Sequence, residues 1–147
     1  MWCRTIAFVI ALCVALGACT LKEDVLKAPP DVAAPPADAV TTPSGLASKI
    51  IRVGVGRARP SLNSTVVVHY AGWTPDGRNF DSSYSKGQPS QFALTQVIAG
   101  WTEGLQLMTE GEKRRFWIPG ALAYDHVNMP GAPKGPLVFD IELLNVR

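Results

Sequence analysis

Only one stretch of the chain, VIAGWTEGLQLM from Val97 to Met108, repeats its apolar residues at helical spacing: Val97, Trp101, Leu105 and Met108 lie four, four and three residues apart. The apolar runs of the domain, from Ser44 on, otherwise alternate with period two. A chain with several such strands and a single short helix has few ways to bury its apolar surface. The strands pair into an antiparallel sheet, and the helix covers the sheet's apolar face. That helix carries Gly100 and Gly104 close to Trp101, although a glycine inside a helix costs ~1 kcal/mol relative to alanine. The two glycines are expected to leave the indole uncrowded and to let helix and sheet approach closely.

The strands can be placed from their alternation. In STVVVHYAGW, Val66, Val68 and Tyr70 face one way, and Val67, His69 and Ala71 the other. TPDGRNF then sets Pro75, Asp76 and Gly77 in a tight turn, so RNFDSS should return as the second arm of a hairpin. Asp81 to Gln91 reads as a polar loop leading to a short apolar segment at Phe92 to Leu94. EGEKRRFWIPG reads as a strand, with EKRR a solvated edge and Trp117 on the outer face, in contact with clients or with another part of the chain. A long loop from Gly120 to Pro136 precedes a last strand in which Leu137, Phe139, Ile141 and Leu143 share one face. The expected class is α+β: a strongly twisted antiparallel sheet of about five strands around one short helix.

The chain of 147 residues has room for one ordinary domain with appendages, and its formal charge of +2 comes without a basic stripe carrying interleaved aromatics, which argues against nucleic acid as a partner. Residues 1–18 have the form of a secretory signal: Arg4 in the n-region, an apolar run from Ile6 to Leu16, and small residues before Cys19. The end of that run, LGAC, resembles the lipobox of bacterial lipoproteins, which makes Cys19 the expected site of acyl modification, palmitate included. The alternative, an uncleaved anchor, would need ~20 apolar residues to span a bilayer. Export to the outer membrane, facing the periplasm, is the expected placement. Cys3 and Cys13 leave with the signal, so the mature chain has no disulfide. Residues 19–43, rich in Pro and Ala, read either as a semi-extended tether reaching ~70 Å or as a plain disordered leader, and the domain is expected over 44–147.

Taken together, VVVHYAGWTPDGRNFDSS, QVIAGWTEGLQLM, GEKRRFWIP, LAYD and PLVFDIELL resemble, in order and spacing, the FKBP-type peptidyl-prolyl cis-trans isomerases. The resemblance implies the family fold, with an active pocket between sheet and helix. It also implies isomerase activity on proline-containing polypeptides, macrolide inhibitors as ligands, and no cofactor. By the same resemblance Tyr70, Asp81 and Tyr124 are the catalytic positions, and Phe80, Val97, Ile98, Trp101 and Phe139 bind substrate, with Trp101 the floor. The backbone N–H of Ile98 and the Tyr124 hydroxyl would donate to substrate carbonyls. Read one at a time, Trp101 and Tyr70 could be plain core, and Asp81 a turn residue. The chain departs from the family at Ser90, where an aromatic is common and whose small side chain opens one wall. It departs again at Asp125, where glycine is common. The loop DHVNMPGAPKGP is the expected seat of substrate selectivity. No long helical arm precedes the domain, unlike in the dimeric surface members, so a monomer is expected. His69 and His126 have no cysteine or carboxylate cluster at metal-ligand spacing, so no metal is expected. The competing reading is a low-turnover peptide-binding module or chaperone on the same fold.

Overall fold

The computed structural model describes residues 23–147. The expected signal peptide and the acylation site Cys19 lie outside the described residues. Seven strands form one sheet: β1 (Val40–Thr41), β2 (Ala47–Arg52), β3 (Thr65–Trp73), β4 (Asn79–Ser82), β5 (Ser90–Ala93), β6 (Lys113–Ile118) and β7 (Leu137–Val146). Their order across the sheet is β1-β2-β6-β7-β3-β4, with β5 also on β3, and every pair is antiparallel. The excess over the expected five comes from β1 and β2. β4 and β5 lie along the same edge of β3, opposite Ala71 to Trp73 and opposite Thr65 to Val68, with the one-turn helix α1 (Ser83–Lys86) between them.

The expected hairpin turn forms, with Gly77 at φ 89° and its N–H donating to the Thr74 carbonyl at 2.9 Å. The alternation of β7 is also as expected: Leu137, Phe139, Ile141 and Leu143 are all buried. The helix α2 (Ala99–Leu105) lies over this face, and the apolar stripe runs past its ends, with Met108 fully buried and Val97 half-buried against the core. The glycines of α2 face β6. A Cβ at Gly100 would meet Ile118 Cγ2 at 2.5 Å, and one at Gly104 would meet Phe116 Cε1 at 2.6 Å. They serve close approach of helix to sheet; the Trp101 ring, on a different side of the helix, is enclosed by other aromatic rings.

Two expectations are corrected on the outer face. EKRR is no solvated edge, because β6 lies between β2 and β7. Glu112 is buried and accepts from Arg114 Nε at 2.6 Å, while Arg115 binds Asp140 at 2.6 and 2.8 Å and Asp31 at 2.5 Å. Nor does the Pro/Ala-rich segment extend as a tether from the domain. It lies across the sheet, where Trp73 Nε1 donates to the Leu26 carbonyl and Trp117 Nε1 to the Asp31 carbonyl, both at 2.9 Å. Val32 and Ala39 pack on a second small core of Ala47, Trp117 and Val138, and β1 pairs with β2. The outer contact of Trp117 is therefore another part of the chain. Buried indole N–H groups need acceptors, and an irregular proline-rich segment has carbonyls to spare.

Candidate functional site

Between α2, β3, β7 and the loop after β6 lies a cavity of about 380 Å³. Seven of the eight expected pocket residues line it: Tyr70, Asp81, Val97, Ile98, Trp101, Tyr124 and Phe139. Phe80 does not. It stands behind Phe139, edge to face at 5.5 Å, where Gly72 leaves room for both rings. Ser90 is not among the lining residues either; it pairs with Val68, and the ring on that wall is Phe92.

Trp101 is held at near right angles by three rings: Tyr70 at 5.2 Å, Phe92 at 5.4 Å and Phe139 at 5.4 Å. Each is the edge-to-face geometry that aromatic quadrupoles favour. The indole is 5% exposed, and its Nε1 has no hydrogen-bond partner among the described residues. The low exposure of the indole and the three rings packed around it make the floor of the cavity apolar.

The polar side of the cavity is one linked group. Tyr70 donates its hydroxyl proton to Asp81 Oδ2 at 2.7 Å; Lys86 Nζ donates to the Tyr70 hydroxyl and to Asp81 Oδ1, both at 2.9 Å; and the Ser82 N–H donates to Asp81 Oδ1 at 2.9 Å. Burial, and after it the carboxylate of Asp81, raise the Tyr70 phenol above its usual pKa. The bond from Tyr70 and then that from Asp81 raise Lys86. Burial and the charge of Asp81 raise Tyr124. All three therefore keep their protons at neutral pH. Tyr70 is committed to Asp81, whereas the Tyr124 hydroxyl and the Ile98 N–H meet no acceptor among the described residues.

Lys86, Gln96, Val127 and Met129 also line the cavity and were not singled out in the sequence. Lys86 had a signal: Ser82 caps the N-terminus of α1 by accepting from the Tyr84 N–H, and Gly87 closes it at φ 75°. That Ser-to-Gly pair marks a helical turn inside a stretch read as loop, and it brings Lys86 back to Asp81. Asp125, which stands where glycine is common in the family, accepts from the Gly135 N–H at 2.7 Å and so ties the loop. Among the described residues no group of three or more His, Cys, Asp or Glu is placed to hold a metal ion.

A family profile described as FKBP-type peptidyl-prolyl cis-trans isomerase matches residues 56–144. The chain is 45% identical over 108 residues to the FKBP-type peptidyl-prolyl cis-trans isomerase FkpA of Escherichia coli K12, covering 73% of this chain and 40% of that protein. It is likewise 45% identical over 111 residues to the outer membrane protein MIP of Legionella longbeachae, covering 74% of this chain and 47% of that protein. The match thus spans less than half the length of either relative. Among solved structures, FkpA from Escherichia coli superposes with a TM-score of 0.71 at 36% identity, covering 93% of this chain and 61% of that one. A peptidyl-prolyl cis-trans isomerase from Pseudomonas syringae pv. tomato gives 0.69 at 33% identity, covering 90% and 95%. By sequence and by fold, the chain belongs to the FKBP-type peptidyl-prolyl cis-trans isomerase family.

Proposed function

We propose that this protein is a peptidyl-prolyl cis-trans isomerase that accelerates X-Pro rotation in exported polypeptides. The observation that carries the reading is the cavity floor: a buried indole boxed by three rings, beside donors that have no acceptor among the described residues.

Rotation about an amide meets a barrier of ~18–20 kcal/mol because resonance must be broken. No nucleophile is required; the site has only to favour the twisted amide over the planar one. The planar amide is the more charge-separated form. A water-poor aromatic floor around Trp101 and Phe139, walled by Val97 and Ile98, raises its energy relative to the twisted state. The Ile98 N–H and the Tyr124 hydroxyl are placed to receive substrate carbonyls. Asp81 lies beside the twisting bond, held by Tyr70 and Lys86 so that its charge cannot swing away. Macrolides, as apolar rings with carbonyl acceptors, would compete for the same cavity.

The placement proposed is lipid anchorage through Cys19, outer membrane facing periplasm, supported by the lipobox-like LGAC. Among the described residues no helix is long and apolar enough to cross a membrane. A Cys19→Ser variant should leave the membrane fraction, and intact-mass measurement should find acyl groups on the wild-type protein alone.

The activity is tested by refolding an unrelated protein whose slow phase is limited by an X-Pro bond. Catalytic amounts of the chain should abolish the slow phase. A Tyr124→Phe, Asp81→Ala double variant should restore it. If the folded wild-type protein binds the refolding chain without speeding it, the cavity belongs to a binding module.

A further inference from the structure

The loop that overhangs the cavity is closed by two side chains that play no part in the chemistry above. Lys134 Nζ donates to the Tyr124 carbonyl at 2.6 Å and to the Val127 carbonyl at 2.9 Å. The carboxylate of Asp125 accepts from the Gly135 N–H at 2.7 Å, and the Asp125 N–H in turn donates to the Gly120 carbonyl at 3.2 Å. Asp125 is seated where only a glycine leaves room: a Cβ at Gly120 would lie 2.1 Å from its Oδ2. Both ties join the start of the loop to its end, and Gly131 and Gly135, at φ 82° and 84°, let the chain turn back between them.

Between the ties the loop has little else to hold it. Its own backbone bonds are three single links: Val127 N–H to Tyr124, Met129 N–H to Val127 and Ala132 N–H to Met129. Yet Val127 and Met129, 39% and 52% exposed, face the cavity, and the Tyr124 hydroxyl beside them meets no acceptor among the described residues. An exposed lysine whose ammonium is shared between two backbone carbonyls gives up water for charge-assisted bonds, which are the stronger kind. Asp125 and Lys134 do not pair with each other, so each closes the loop independently.

We infer that Asp125 and Lys134 are positioning residues, a two-point clamp that holds the loop of residues 124–135 over the cavity and thereby aims Tyr124, Val127 and Met129 at the bound peptide. The inference rests on the isomerase reading for its kinetic consequence, but not for its structural one. Removing either tie frees the loop to open. Peptide then binds more weakly, most of all where the residue before proline is large enough to reach Val127 and Met129.

The test uses the chain from Thr20 onward, as wild type and as Lys134→Met, Lys134→Arg and Asp125→Ala. Amide hydrogen exchange is followed at Val127 and Ala132, whose N–H groups touch neither side chain, and at the strand amides of β3 and β7. Kinetics are run on Leu-Pro and Ala-Pro peptides. In Lys134→Met and Asp125→Ala the loop amides should lose protection by roughly tenfold or more while the strand amides keep theirs. KM for the Leu-Pro peptide should rise by roughly tenfold at nearly constant kcat, with a smaller change for Ala-Pro. Lys134→Arg should recover both. Unchanged loop protection in the two variants overturns the clamp, as does an equal loss on both peptides carried by kcat. Loss of loop protection in a protein that turns over neither peptide would uphold the clamp and overturn the isomerase reading.

Discussion

At Gly104 two rules of thumb give opposite signs. Replacing a helical glycine by alanine ordinarily gains ~1 kcal/mol. Here the added methyl meets the Phe116 ring, itself 1% exposed and without room to retreat, and overpacking of this kind costs ~1–3 kcal/mol. Gly104→Ala should therefore lower stability by about 1 kcal/mol or more, read as a lower midpoint in thermal or urea denaturation. A stabilised variant would mean that helix and sheet can part more easily than the packing implies. The sequence made it legible that these glycines need a reason, and that close approach was one. It could not say which strand they face, because the Gly100–Ile118 and Gly104–Phe116 contacts join segments brought together only by the register of β6 on the sheet.

The elements that could be read from the sequence were those whose inward residues alternate with outward ones, such as β7 with Asp140 and Glu142 facing out, or whose turns carry glycine, such as the β3–β4 hairpin. β2 was missed because Ile50 and Ile51 are both exposed, so its alternation fails. The interruption between β4 and β5 was read as loop, and with it went Lys86, whose partner is five residues back and whose effect lies at the site. Lys86→Met should lower kcat/KM by roughly tenfold with little change in melting temperature, since Asp81 and Tyr70 keep each other but lose the cation that fixes them. An equally active variant would remove the lysine from the site's workings. The same group has a pH signature. Tyr70 has its pKa raised above the ordinary 10.0, mainly by burial, so the stability its protonated form contributes is fully present below that value and is lost as pH climbs through the raised one, while the half-exposed Lys86, raised above 10.5, adds little. Melting temperature should show no step from this group between pH 6 and 9, and a fall above about pH 10 that Tyr70→Phe reduces.

On the scale of the whole molecule, residues before Ser44, from Leu26 to Ala39, pack on the sheet. Composition concealed this, because a segment rich in Pro and Ala lacks periodicity whether it floats or docks, and what docks it are acceptors for two indoles far away in sequence. A chain starting at Ser44 loses both indole bonds and the Asp31–Arg115 pair. At ~1 kcal/mol per hydrogen bond the loss is at least ~2 kcal/mol, or about 10 °C in melting temperature for a domain of this size. An unchanged melting curve would show the segment to be a passenger. Docking also shortens the proposed anchor. Six residues lie between Cys19 and Leu26, a reach of at most ~25 Å, so the domain would sit against the lipid surface and not ~70 Å above it.

The most direct measurement is the cis–trans exchange rate of a short X-Pro peptide, followed by NMR exchange spectroscopy with a catalytic amount of the chain from Thr20 onward, as wild type and as Trp101→Leu. Exchange accelerated by the wild type and nearly lost in a folded Trp101→Leu is the predicted result. Equal acceleration by both proteins, or none by either, would contradict the assignment of catalysis to the aromatic floor of this cavity.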